Sequence, residues 1–216
     1  MGMSRREFLG CAAAAALPIQ MKWALKYWMV DPAGTLALPE SILGYRTALP
    51  ADHEVDLSVR QAPYGGLVVF PSRADRSLRS QLPDRIGLHL SRGSTVVLES
   101  GAGFLSRVDY RAYRRWMRER LRIDVTDPVD LWSGGARGVP YIEYDWPIRA
   151  TVRDYSRVVP LADQPGEIIG RVGNIAVALK RRVGKGTLIY LGSPLGPALW
   201  AGDQQARRWL QHLLAS

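Results

Sequence analysis

Cysteine is all but missing from this chain. Cys11 is the only one in 216 residues, which excludes an intramolecular disulfide and any cysteine-built metal site. A core of this size needs no disulfide staples, so an exported domain remains physically reasonable without them. Histidine is scarce as well: His53, His89 and His212 complete the inventory. No grouping of His, Cys, Asp and Glu has metal-ligand spacing, and neither a metal nor another cofactor is expected. Lysine is the third shortage. Lys22, Lys26, Lys180 and Lys185 are all there are, so the formal charge of +9, from 29 basic against 20 acidic residues, is overwhelmingly arginine. That balance fits an anionic partner (nucleic acid, acidic lipid headgroups or an acidic protein) or simply a scattered surface charge. Hydrophobic residues make up 47% of the chain, enough for a real core and too many for disorder.

The chain is organised around Ser94 to Phe104. Val96-Val97-Leu98-Glu99 runs into Ser100-Gly101-Ala102-Gly103, an apolar strand closed by glycine. Such a run predicts a central strand buried on both faces of a parallel sheet. The turn beyond the carboxyl end of such a strand is where ligands and catalytic groups collect. Ser100 therefore occupies the place of a nucleophile, with glycines permitting a sharp turn.

At the amino terminus, Ser4-Arg5-Arg6-Glu7-Phe8-Leu9 resembles a twin-arginine export signal, followed by an apolar run to Ile19. Ala14-Ala15-Ala16 satisfies the small-residue cleavage rule but would leave a short apolar region. The chain continues apolar through Val30, with Trp23, Lys26, Tyr27 and Trp28 of the kind selected at a membrane–water interface. A helix from Phe8 to Val30 would rise roughly 35 Å, against a bilayer core of about 30 Å. Two outcomes stay open: an uncleaved anchor with the globular part on the periplasmic side of the cytoplasmic membrane, or a soluble periplasmic protein after cleavage.

Residues 31–63 are rich in breakers (Pro32, Gly34, Pro39, Gly44, Pro50, Pro63) and predict an irregular wrapping segment, with one strand at Glu54 to Val59. From residue 64 to 216 the pattern becomes regular. Gly65 to Ser72 predicts a buried strand and its exit loop, and Leu82 to Leu90 a helix with Gly93 supplying the left-handed C′ position. Ser106 or Asp109 would cap the next helix, in which Tyr113, Trp116, Met117 and Leu121 recur at helical spacing. Seven arginines crowd positions 107 to 122. Four of them, Arg111, Arg114, Arg115 and Arg118, form the candidate docking face; the bland reading is a solvated helix face. The aromatic or glycine interleaving of a nucleic-acid module is missing, so no specific nucleic acid is expected.

Strands are predicted at Tyr141 to Asp145, Ile148 to Val152, Glu167 to Val172, Ile175 to Val183 and Thr187 to Leu191. Gly184-Lys185-Gly186-Thr187 has the look of a phosphate loop, but Leu179 stands where a Walker loop needs glycine, which leaves a β-turn. Asp203 predicts the cap of a last helix with Ala206, Trp209, Leu210, Leu213 and Leu214 on one stripe and His212 at its edge.

From about Gly65 onward this series resembles class I glutamine amidotransferase-like domains. The carrying residues are Val96 to Gly103 at the nucleophile-elbow position and Val183-Gly184-Lys185-Gly186-Thr187-Leu188-Ile189-Tyr190-Leu191-Gly192-Ser193-Pro194 near the end. The resemblance implies an α/β fold with a mainly parallel sheet flanked by helices, here with an antiparallel extension between Tyr141 and Val183. It also implies a catalytic cysteine at the elbow and a His-Pro-Glu-like run after the last core strand. This chain has Ser100 and Gly192-Ser193-Pro194-Leu195 instead.

A serine hydroxyl needs an adjacent base to become a nucleophile near neutral pH. No histidine falls in the segment that should present one. Glu99 could serve as that base, or could hydrogen-bond neighbouring backbone as an elbow residue. The expected function is therefore a non-catalytic, membrane-associated accessory subunit; the alternative is a serine-dependent hydrolase or acyl transferase using Ser100 and Glu99.

Overall fold

The computed structural model describes residues 39–49, 66–72, 76–102, 110–131, 140–155, 157–162 and 166–216. The export signal, the anchor and its interface residues Trp23, Lys26, Tyr27 and Trp28 lie outside them, as do His53, the strand expected at 54–59 and the caps Ser106 and Asp109. No helix among the described residues is long and apolar enough to cross a membrane.

The described residues form, in chain order, α1 (Pro39–Ala48), β1 (Leu67–Phe70), α2 (Arg76–Ser91), β2 (Thr95–Glu99), α3 (Tyr110–Trp116), β3 (Tyr141–Tyr144), β4 (Ala150–Arg153), β5 (Glu167–Val172), β6 (Ile175–Val183), β7 (Gly186–Leu191), α4 (Gly196–Trp200) and α5 (Gln204–Ala215). A π-helical turn, Met117–Leu121, prolongs α3. The strands form one sheet in the order β1-β2-β7-β6-β5-β3-β4. As expected, β2 lies inside it, hydrogen-bonded in parallel to β1 on one side and β7 on the other.

The sheet is mixed, which corrects the mainly parallel expectation. Only β1–β2 and β2–β7 are parallel, whereas β7–β6, β6–β5, β5–β3 and β3–β4 are antiparallel. The reason is connection length. Parallel neighbours require a long crossover, whereas a two-residue link forces the chain to turn back. Gly173-Asn174 is all that joins β5 to β6, and Gly184-Lys185 all that joins β6 to β7. Gly173 (φ 53°) and Gly184 (φ 59°) take the left-handed conformations these turns need. The antiparallel extension predicted between Tyr141 and Val183 is present and contains more than half of the strands.

Alternation along the parallel strands divides the core in two. Val68, Phe70, Val96, Leu98, Leu188 and Tyr190 face α2 and α3, packing on Leu82, Ile86, Tyr113 and Met117. Val69, Val97, Ile189 and Leu191 face α1, α4 and α5, packing on Tyr45, Leu199, Trp209 and Leu210. Helices therefore cover both faces of the sheet, the layering of an α/β domain.

The wrapping segment is not irregular throughout: residues Pro39–Ala48 form α1. Proline is compatible with a first helical position, and Gly44 is a contact point rather than a breaker. A Cβ built on Gly44 would lie 1.9 Å from the Gly196 carbonyl oxygen, so α1 and α4 meet backbone to backbone. Helix α2 begins at Arg76, earlier than the expected Leu82, and includes Pro83. It closes as expected, with Gly93 at φ 89°. Helix α5 starts at Asp203, whose Oδ1 accepts from the backbone N–H groups of Gln205 (2.8 Å) and Ala206 (3.1 Å).

Candidate functional site

The carboxyl ends of β1, β2 and β7 converge on Glu99, the last residue of β2. Its side chain is fully buried, and its two oxygens collect four donors from three parts of the chain. Oε1 accepts from Tyr45 Oη (2.9 Å) on α1 and from the backbone N–H of Gly196 (2.9 Å), which opens α4. Oε2 accepts from the Ser72 N–H (2.8 Å), just past β1, and from Ser41 Oγ on α1. Burial pushes the Glu99 carboxyl above the ordinary glutamate range, and the four donors partly pull it back. Burial first, then the Glu99 charge, raises the Tyr45 phenol well above its usual value.

Ser100 lies in the turn that leaves β2. A Glu99-to-Ala102 turn closes through Ala102 N–H to Glu99 C=O (3.2 Å), with Gly101 at φ 84°, so glycine does permit the sharp bend. The serine itself is 2% exposed. Its hydroxyl donates to the Gly192 carbonyl (2.8 Å), its N–H to the Leu191 carbonyl (2.8 Å), and its own carbonyl accepts from Ser72 Oγ. Among the described residues, no side-chain base hydrogen-bonds to the Ser100 hydroxyl. His89 is buried on α2 with its ring edge-on to Phe70 at 6.1 Å. His212 is exposed on α5, its Nδ1 2.9 Å from the Arg208 carbonyl oxygen.

The run Gly192-Ser193-Pro194-Leu195, where the resemblance implies His and Glu, is also committed to structure. Gly192 N–H donates to Val177 (2.6 Å), and its carbonyl accepts from Val159 N–H (2.9 Å) as well as from Ser100. A Cβ at Gly192 would lie 2.2 Å from the Val159 carbonyl oxygen, so only glycine passes there. Ser193 Oγ donates to the buried Asp154 Oδ1 at 2.8 Å. What the sequence did not reveal is the contribution of α1. Ser41 and Tyr45, four residues apart, project from one helix face and close the site from above. Their i, i+4 spacing was visible, but their acceptor lies 58 and 54 residues away.

The arginine face is partly neutralised. Arg118 pairs with Asp124 at 2.7 Å and Arg114 with Asp127 at 3.6 Å. Arg111 and Arg115 are exposed and form no ion pair with a described residue. Arg181, from β6, donates to the Arg122 carbonyl (3.0 Å) and to the Leu121 carbonyl, tying down the end of the π-helical turn. Groups of three or more His, Cys, Asp or Glu able to hold a metal are absent among the described residues.

In class, the fold is a three-layer α/β domain with a mixed sheet. No protein-family model and no curated protein sequence matches the chain. Solved structures resemble parts of it at low identity. A cytoplasmic protein from Salmonella typhimurium LT2 is similar over 82% of this chain and 85% of that one, at 12% identity and a TM-score of 0.52. An exo-β-1,4-mannosidase from an Opitutaceae bacterium (strain TAV5) matches 69% of this chain at 11% identity and a TM-score of 0.49. A GH42 β-galactosidase from G. stearothermophilus matches 69% at 13% and 0.44. This chain spans only 25% and 21% of the length of those two glycosidases.

Proposed function

We propose that this protein is a non-catalytic accessory subunit on a degenerate class I glutamine amidotransferase-like scaffold, exported and tethered at the periplasmic side of the cytoplasmic membrane by residues 8–30. The observation that carries the reading is the state of Ser100. At the position where the resembling enzymes hold a nucleophile, this hydroxyl is buried and spent on the Gly192 carbonyl. A nucleophile needs a neighbouring base and room for a substrate, whereas Ser100 is 2% exposed and the adjacent Glu99 is covered by α1 through Ser41 and Tyr45. Glu99, the other catalytic candidate, is a joint between elements. Docking then falls to the surface, where Arg111 and Arg115 supply positive charge that no described residue pairs, beside the paired Arg114 and Arg118.

The test uses the full-length protein in its own membranes. A fluorophosphonate probe, which esterifies activated serines, should leave Ser100 unlabelled. Ser100→Ala should retain the cross-links that wild-type protein makes to its membrane neighbours, and Arg111→Glu/Arg115→Glu should lose those that map to α3. Labelling at Ser100 would reverse the reading in favour of a serine hydrolase or acyl transferase.

A further inference from the structure

The Glu99 joint seals the carboxyl ends of the parallel strands, and an open concavity lies at their amino ends. This groove, about 580 Å³, is lined by Thr95, Trp146, Glu167, Lys180, Arg182 and Thr187 among others. Its volume is in the range of small-molecule sites. Strand register sets its polar groups in a row. Thr95 stands opposite Thr187, and Thr187 opposite Arg182; residues paired across strands project from the same face. Lys180, two residues before Arg182 on β6, projects the same way and stands opposite Glu167.

The two cations differ in what they already do. Lys180 Nζ lies 2.7 Å from Glu167 Oε2 and 4.2 Å from the centroid of the Trp146 ring. It is held in an ion pair and a cation–π contact. Arg182 is exposed and makes neither an ion pair nor a side-chain hydrogen bond to a described residue. Its guanidinium is a five-donor fork suited to planar or tetrahedral oxyanions, and two threonine hydroxyls beside it can donate as well. Trp146 is half-buried and anchored by its carbonyl, which accepts from Trp209 Nε1 at 2.7 Å. Packed against the core, its ring forms an apolar wall at the other end of the row.

We propose that this groove binds a small organic anion. Arg182, Thr95 and Thr187 take its phosphate or carboxylate, and its apolar body lies toward Trp146. Nothing in this site depends on the fate of Ser100 or on the arginine face of α3.

Calorimetric titration of the full-length protein with phenyl phosphate, benzoate and inorganic phosphate tests it. One of the two organic anions should bind saturably, which identifies the anionic group, and inorganic phosphate should bind at least about tenfold more weakly for want of a body. Arg182→Gln should weaken the organic anion about tenfold or more, and Thr187→Val about fivefold. Arg115→Gln, on the other side of the sheet, should leave the affinity unchanged. Arg182 is exposed, and Thr187→Val keeps the β-branched shape, so the two substitutions provide independent readings. The proposal is overturned by no saturable binding of either organic anion, by equal affinity in the Arg182 variant, or by equal losses in the Arg182 and Arg115 variants.

Discussion

Glu99 shows how much one buried side chain can decide. Each of its oxygens accepts a backbone N–H, Ser72 on one and Gly196 on the other. In Glu99→Gln, whichever way the amide is turned, its NH2 faces one of those donors and cannot accept from it. A protonated glutamate escapes this conflict, because its hydroxyl oxygen still accepts while its proton goes to Ser41 or Tyr45. The near-isosteric substitution should therefore cost about 3 kcal/mol, read from urea unfolding midpoints in mildly acidic buffer. Its cost should also depend on pH. Burial raises the folded carboxyl above the ordinary 4.5, so as pH climbs past that value the unfolded chain releases its proton first. Glu99's contribution is then complete below about 4.5 and declines as pH rises through the folded pKa. The stability gap between wild type and Glu99→Gln should narrow in that direction, and a gap that stays constant or widens would refute the raised pKa. The sequence marked Glu99 as either a base or a backbone-bonding elbow residue, and its carboxylate does accept two backbone N–H groups. Its side-chain partners could not be foreseen, because the hydroxyls of Ser41 and Tyr45 become relevant only once α1 is laid over the strand ends.

Among the elements, two glycines with opposite surroundings separate packing from helix propensity. Gly44 sits in α1 where an added methyl would meet the Gly196 carbonyl at 1.9 Å, whereas Gly87, in α2, has nothing within 4 Å of such a methyl. Gly87→Ala should stabilise the protein by about 0.5–1 kcal/mol, the ordinary gain of alanine over glycine in a helix interior. Gly44→Ala should do the reverse, costing about 2 kcal/mol or more by forcing α1 away from α4, with faster hydrogen exchange in residues 39–49 as its signature. If both glycines gave the same sign, the α1–α4 contact would not be the close approach described. The same contrast explains which elements could be read in advance. β5 and β6 were predicted to the residue and α5 from its cap, because alternation, turn glycines and Asp203 are local signals. α1 was missed because Pro39 and Gly44 are breakers by local rules, and only a tertiary contact turns Gly44 into a requirement.

For the whole molecule, the layering and the position of β2 were legible, and the balance of strand directions was not. Apolar runs indicate burial, but a run such as Thr187 to Leu191 reads alike beside a parallel or an antiparallel neighbour; the two-residue links carried the missing information. β7 is the seam, parallel to β2 on one edge and antiparallel to β6 on the other. A seam could divide the protein into a parallel unit and an antiparallel one that melt separately. The packing argues otherwise, since both hydrophobic layers cross it. Val96 and Leu98 share one cluster with Leu179, and Val97 shares the other with Ile142 and Ile169. Losing either half would expose apolar side chains of the other, a penalty of about 25 cal/mol for each Å² uncovered. Unfolding in urea should therefore be a single transition, with near-ultraviolet and far-ultraviolet circular dichroism superimposing. Native-state hydrogen exchange should find one common opening free energy for β2, β6 and β7, which are paired on both edges, and lower values at the edge strands β1 and β4. Two separated transitions, or β2 exchanging at a free energy well apart from β6, would mean that the seam is a boundary and that the two layers do not couple across it.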